Sequence, residues 1–270
     1  MRGLNPRSPI QIVRLLLIAA WLVAGRQVWA QLAGDFEPEI RAFEEADRTS
    51  PPPPAPIVFA GSSSIRIWTS LGVDFAGWPV LNRGFGGSHY RHLWELRDRV
   101  ILKYKPQAVV LYSGDNDLAD GWAVESVIGH MTNLVAAIRR EMPDTHIAVL
   151  SIKPSPARLW AIEPQRRFNE AARQFCGTRT NLHFVDIASA MLDQTGQPRP
   201  ELFSPDRTHM NAAGYAIWRD HLIREFERWG PPRKRGGSSF RLAFAAATSL
   251  ALLAAALVRH RRRRAAGAAP

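Results

Sequence analysis

In FSPDRTHMNAAGY (203–215) an aspartate and a histidine stand three residues apart, just ahead of a stretch whose apolar spacing predicts a helix. A histidine that takes a hydroxyl proton needs its other ring nitrogen held by an acceptor, which fixes the tautomer and steadies the imidazolium. Asp206 is close enough in sequence to hold His209 across one turn, although a turn acid beside a surface histidine is spelled the same way. Such a pair is useful only with a nucleophile elsewhere in the chain. AGSSSIRIW (60–68) offers Ser62, Ser63 and Ser64 directly after a strand-like run and a glycine. A hydroxyl at that position sits at a helix start, beside N–H groups with no intrahelical partner. Helix capping is the competing use of such a serine, and three in a row leave the choice among them open.

Two further stretches could supply hydrogen-bond donors to a developing negative charge. NRGFGGSH (82–89) places three glycines in four positions, which lets the backbone turn tightly and aim an N–H at a ligand. A phosphate loop would need a following Lys-Ser/Thr, which is absent, and no acid is placed for a dinucleotide ribose; a plain turn remains the alternative. SGDNDLADG (113–121) contains Asn116, whose side-chain amide at a strand end can donate to an oxyanion. Its acids do not form a calcium loop, because counting from Asp115 the fifth position is Ala119 and the twelfth is Ser126.

Positioning these groups requires strands that end where they begin. Short apolar, β-branched runs predict strands at 57–61, 79–84, 108–114, 146–152 and 182–186. They do not alternate with polar residues, as expected of strands covered on both faces. Helical spacing predicts helices near 88–104, 123–141, 163–176 and 211–228. Strand and helix taking turns argue for a parallel five-stranded sheet between helical layers, a three-layer α/β/α sandwich over residues 57–230. Chemistry in such folds lies outside the carboxyl ends of the strands, which is where all four polar stretches fall. FEPEIRAFEEADR (36–48) predicts an amphipathic helix laid on that domain, and the proline run at 50–56 a stiff extended lead-in, so that 31–56 forms a separate approach segment. Cys176, the one cysteine, excludes an intrachain disulfide and reads as a small buried hydrophobe.

The net charge of +11 suggests nucleic acid until it is located. Thirteen of the 35 basic residues lie in 1–30 and 231–270, which hold no acid, leaving 22 against 24 acids in the middle. The basicity therefore belongs to the ends, and a nucleic-acid partner loses its support. Arg2, Arg7 and Arg14 precede the apolar run LLLIAAWLVAG (15–25), about 16 Å as a helix. That length suits a secretory signal over 1–30 with small residues before Gln31; an uncleaved N-terminal anchor is the alternative. A 231–239 linker leads to Phe240 and an uncharged run ending at Val258, roughly 28 Å long, which predicts a transmembrane helix at 240–258. The arginine cluster in the 259–270 tail should stay cytoplasmic, placing the middle on the extracytoplasmic side of a membrane. The GGSSF start, apolar run and arginines also resemble Gly-Gly type C-terminal sorting tails of bacterial surface proteins.

Taken together, the four polar stretches resemble the SGNH hydrolases, the GDSL-type esterase/lipase superfamily. All four family blocks are present, in family order, across 57–222. FAGSSSIRIW is similar to the nucleophile block, and its register implies Ser63; the usual aspartate before it is Ser62 here. NRGFGGS matches the glycine block and implies Gly87 as a backbone N–H donor. GDND matches the third block and implies Asn116 as a side-chain donor, and DRTHMNAAGY implies Asp206 and His209 as acid and base. The resemblance thus implies a flavodoxin-like SGNH fold and a Ser63–His209–Asp206 triad. It also implies an oxyanion hole of Ser63, Gly87 and Asn116, a small ester substrate, and no metal or organic cofactor. GSSSIRIW and SIKPSPAR look most like the small-esterase branch near platelet-activating-factor acetylhydrolase subunits, which implies short-acyl esters, lipid- or carbohydrate-linked. An acyltransferase using the same residues, and a membrane-tethered binding module with a decayed site, are the alternatives. Trp68, Trp78, Trp122 and Trp160 are candidates for lining a pocket, with core or surface packing the competing fate.

Overall fold

In the computed structural model, which describes residues 36–230, five short strands form one parallel sheet in the order β2-β1-β3-β4-β5. They are β1 (Ile57–Gly61), β2 (Val80–Gly84), β3 (Ala108–Tyr112), β4 (His146–Leu150) and β5 (Leu182–Val185). All five expected strands are present: β1 has the expected bounds, β2 starts one residue later, after Pro79, and β3, β4 and β5 end one or two residues earlier. The expected helices appear as α1 (Glu37–Thr49), α4 (Tyr90–Val100), α6 (Val124–Glu141), α7 (Ile162–Gly177) and α8 (Ala212–Trp229). Three pieces of four or five residues, α2 (Ser63–Arg66), α3 (Leu71–Asp74) and α5 (Asp115–Ala119), are too short for periodicity to announce. The expected 88–104 helix stops at Val100; a separate 3₁₀ turn follows, Leu102–Tyr104, and closes on Lys105 in the left-handed region.

Alternation along each strand sends side chains into two cores. Val58, Ala60, Val109, Leu111, Ile147 and Val149 pack under α1, α4, α6 and α7 through residues such as Ile40, Leu93, Met131 and Phe168. Ile57, Phe59, Val110, Ala148 and Leu150 face the opposite layer of α2, α3 and α8. There Phe59, Trp68, Phe75 and Phe226 form mutual edge and tilted contacts at 5.3–6.4 Å, worth about 1 kcal/mol per pair beyond burial. Trp68 and Trp78 are thus core residues, Trp122 is half-buried and Trp160 is exposed. Cys176 is buried, and burial pushes its thiol up to about 12.

One expectation needs correction. β2 is an edge strand whose first three residues are only half-buried, so it is not covered on both faces. α1 is the expected amphipathic helix laid on the domain: Ile40 is fully buried, and Asp47 pairs with Arg83 of β2 and Lys103. The segments 1–30, 231–239, 240–258 and 259–270 read above as signal, linker, membrane helix and tail lie outside the described residues. Among the described residues no helix is long and apolar enough to cross a membrane.

The register is what positions the site. Gly61 stands level with Gly84 of β2 and Tyr112 of β3, so the loops that leave these three strands start side by side. The chain winds outward in one direction through β2 and in the other through β3, β4 and β5. The crevice at that reversal, between the ends of β1 and β3, is where ligands bind in sheets of this order.

Candidate active site

β1 ends on Gly61, where no side chain fits, since a Cβ would stand 2.1 Å from the Tyr112 carbonyl oxygen. The backbone then turns: Ser62 is extended, donates its N–H to Tyr112 O at 3.1 Å, and its carbonyl accepts from Ile65 and Arg66. Ser63 is the first residue of α2, where its own N–H has no intrahelical acceptor. Ser62 and Ser64 are buried, while Ser63 is partly accessible. Of the three serines Ser63 is the one that meets the imidazole, with Oγ 2.9 Å from His209 Nε2.

His209 comes from the loop before α8, 146 residues away. A short antiparallel bridge, Phe203 to Met210, pinches that loop, and Arg207 at its tip takes φ +56°, a left-handed turn conformation. Across it, Asp206 Oδ2 lies 2.5 Å from His209 Nδ1. Asp206 Oδ1 accepts the backbone N–H groups of Thr208 and His209 at 3.0 and 2.9 Å. Partial burial pushes the Asp206 carboxyl up, but these hydrogen bonds outweigh it and hold the group at about 2. A carboxylate therefore faces the ring at every ordinary pH, and the ring nitrogen toward it must carry the proton, which leaves Nε2 as acceptor for the Ser63 hydroxyl. Tyr215 on α8 closes the arrangement by donating its hydroxyl to Ser64 O at 2.8 Å.

On the other side of Ser63 the glycine loop and the β3 loop are knitted together. Gly87 is exposed with φ +75°, a conformation that favours glycine. Ser88 Oγ donates to Gly61 O at 3.2 Å, and Asn116 Nδ2 donates to Ser88 O at 3.2 Å. Asp117 accepts the Tyr90 N–H at 3.1 Å, tying the start of α4 to the same loop; burial pushes its carboxyl up to about 6.

Sequence reasoning missed the residues behind Asn116. Lys153, fully buried just past β4, places Nζ 2.9 Å from Asp115 Oδ2, and Arg158 Nη1 lies 2.8 Å from Asp115 Oδ1. Burial pushes the Asp115 carboxyl up, and the two cations more than reverse this, lowering it. The signal was available in SIKPSPAR: a lysine directly after an apolar strand either leaves the core or finds a carboxylate there. Two surface grooves, of about 350 and 700 Å³, contain none of Ser63, Asn116, Asp206 or His209. Among the described residues no group of three or more His, Cys, Asp or Glu is arranged to hold a metal ion.

A parallel α/β sandwich with these polar loops gathered at its switch point places the candidate site outside the carboxyl ends of the strands. Residues 60–217 match the model of the GDSL-like Lipase/Acylhydrolase family, and the chain belongs to that family. Membership supports ester hydrolase activity at the level of reaction class. The fold is similar to a Streptococcus pneumonia protein named for platelet activating factor, at 22% identity and TM-score 0.62, covering 81% of this chain and 99% of that one. It is also similar to an acetylxylan esterase from Geobacillus stearothermophilus, at 18% identity and TM-score 0.53, covering 63% and 92%. The psychrotrophic esterase EstA of Pseudoalteromonas sp. is a third, at 20% identity and TM-score 0.52, covering 64% and 97%. No curated protein matches the chain in sequence.

Proposed function

We propose that the protein is a serine esterase for short-acyl carboxylic esters, with Ser63 as nucleophile, His209 as base and Asp206 as the acid that orients it. The observation that carries this reading is the continuous line of contacts from Asp206 Oδ2 through the ring to Ser63 Oγ, at 2.5 and 2.9 Å. As Ser63 Oγ bonds to the ester carbonyl carbon, its proton passes to His209 Nε2 and the carbonyl oxygen takes up the electron pair. Collapse expels the alcohol, which leaves with that proton. Water then attacks the acyl-serine, giving its proton to His209, and Ser63 departs reprotonated with release of the carboxylic acid.

The negative oxygen is held by the N–H groups of Ser63 and Gly87 and by the Asn116 amide, each worth about 3 kcal/mol in the transition state. Resemblance to esterases of acetylated sugars and of lipids supports a lipid- or carbohydrate-linked acyl group as substrate. The proposal extends to location. The apolar run and arginine cluster near the C-terminus support a membrane tether, with residues 57–230 on the extracytoplasmic side.

The purified full-length protein should hydrolyse nitrophenyl acetate, and Ser63→Ala should lower kcat by about 10³-fold or more. Wild-type turnover in Ser63→Ala would end the assignment. For location, alkaline extraction of a membrane fraction should leave the protein in the pellet; quantitative release would remove the tether.

A further inference from the structure

Asn116 can serve an oxyanion only with its NH₂ group, not its carbonyl, turned toward the substrate, and an amide has two orientations of nearly equal shape. The partners on each side distinguish them. Nδ2 donates to the Ser88 carbonyl at 3.2 Å, and Oδ1 accepts from Arg158 Nη2 at 3.3 Å. A guanidinium carries donors alone. Turning the amide over would set donor against donor at Arg158 and acceptor against acceptor at Ser88. Both contacts therefore select one orientation, in which the second Nδ2 hydrogen is left for the substrate.

Arg158 is itself held on two sides. Nη1 meets Asp115 Oδ1 at 2.8 Å and the Asp115 carbonyl oxygen at 3.1 Å. Asp115 is anchored in turn by Lys153 Nζ at 2.9 Å and Gln165 Nε2 at 3.4 Å. The 3₁₀ turn Pro156–Ala161 that carries Arg158 is fastened to the His209 loop, because Ala157 N–H donates to Arg207 O at 3.1 Å. A planar fork fixed by a buried carboxylate is a stiffer support than a lone flexible ammonium.

We propose that Arg158 is a positioning residue for the Asn116 amide, keeping its N–H aimed at the developing oxyanion while the Asp115–Lys153 pair holds the guanidinium in place. This rests on the esterase reading above. Arg158 touches no reacting atom in this role and acts through Asn116.

The test is a double-mutant cycle on the full-length protein with nitrophenyl acetate: Arg158→Met, Asn116→Ala, the double variant and Ser63→Ala. Losing the Asn116 donor should lower kcat by about 10²-fold or more, and Arg158→Met by about 10-fold, with KM little changed in each. In the Asn116→Ala background, Arg158→Met should change kcat by less than about twofold, which a purely structural role would not produce. Arg158→Lys, which keeps a cation beside Asp115, should fall between wild type and Arg158→Met. If Arg158→Met fails to fold, Arg158→Lys carries the same comparison with and without Asn116→Ala. Wild-type kcat in the Arg158 variant, or an equal loss in both backgrounds, overturns the proposal while Ser63→Ala and Asn116→Ala remain impaired. An active Ser63→Ala protein overturns the esterase reading instead.

Discussion

Asp206 holds His209 and Asp115 holds Lys153, yet the Asp206 side chain is 49% exposed and that of Asp115 only 6%. Asp206 faces the imidazole proposed as base, and it is fixed by short contacts within its own loop. Its surroundings keep water at hand. Asp115 faces two basic side chains from a different loop, with Lys153 wholly out of water. There the low-dielectric setting makes the contacts stiff and hard to give up. On the proposed mechanism the same residue type thus takes a chemical role where it is wet and a mechanical one where it is dry.

The sharpest way to break this contrast is to neutralise each acid in turn. Asp206→Asn should lower kcat by up to about 10⁴-fold through loss of the held tautomer. It should leave the melting temperature nearly unchanged, since an amide oxygen still accepts the Thr208 and His209 N–H groups. Asp115→Ala should do the opposite in emphasis. It strands the buried Lys153, which has no exposed surface to escape to, and should cost about 3–5 kcal/mol in urea unfolding. Equal stability losses in the two variants would dissolve the distinction.

Much of this arrangement is legible in the chain. Val-Val-Leu-Tyr and Ile-Ala-Val-Leu are readable as covered strands because β-branched runs bounded by polar residues have few other uses. Asn116 and Gly87 are readable because each stands in a loop just past a strand, whereas Asp206 and His209 lie well beyond β5, ahead of α8, and are readable through their spacing and the resemblance of their block. The choice among Ser62, Ser63 and Ser64 is not, since it depends on which hydroxyl the first turn of α2 leaves outside. Lys153, directly after a covered strand, signals that it needs a carboxylate, but which one is not legible, and neither is the role of Arg158: their shared partner Asp115 lies 38 and 43 residues away, and a pairing at that range is set by the packing of β3 against β4.

A smaller effect concerns the opposite end of the sheet, where His146, His183 and Trp229 stack with ring centroids 4.0–5.9 Å apart. Burial lowers the His183 ring to about 4, and that of His146 in the same direction. A histidine with a depressed folded value is neutral when folded and protonated when unfolded between that value and about 6.5. The unfolded state then binds more protons, so stability present above pH 6.5 is lost as pH falls toward 4. His92, lowered by burial to about 3, adds to the same slope. Melting temperature measured from pH 7 to pH 4.5 should fall, and His183→Phe should flatten the fall. Asp206, at about 2, contributes nothing to that window, so the slope should be the same in Asp206→Asn.

The separation of 146 residues between Ser63 and His209 also carries a meaning in time. At ordinary rates of synthesis the proposed nucleophile leaves the ribosome roughly 7–30 s before its base. Until α8 arrives and Tyr215 fastens onto Ser64, Ser63 is an unactivated alcohol at the tip of a half-finished sheet. On the proposed mechanism a nascent chain is therefore chemically mute, and acyl transfer can begin only after α8 has docked.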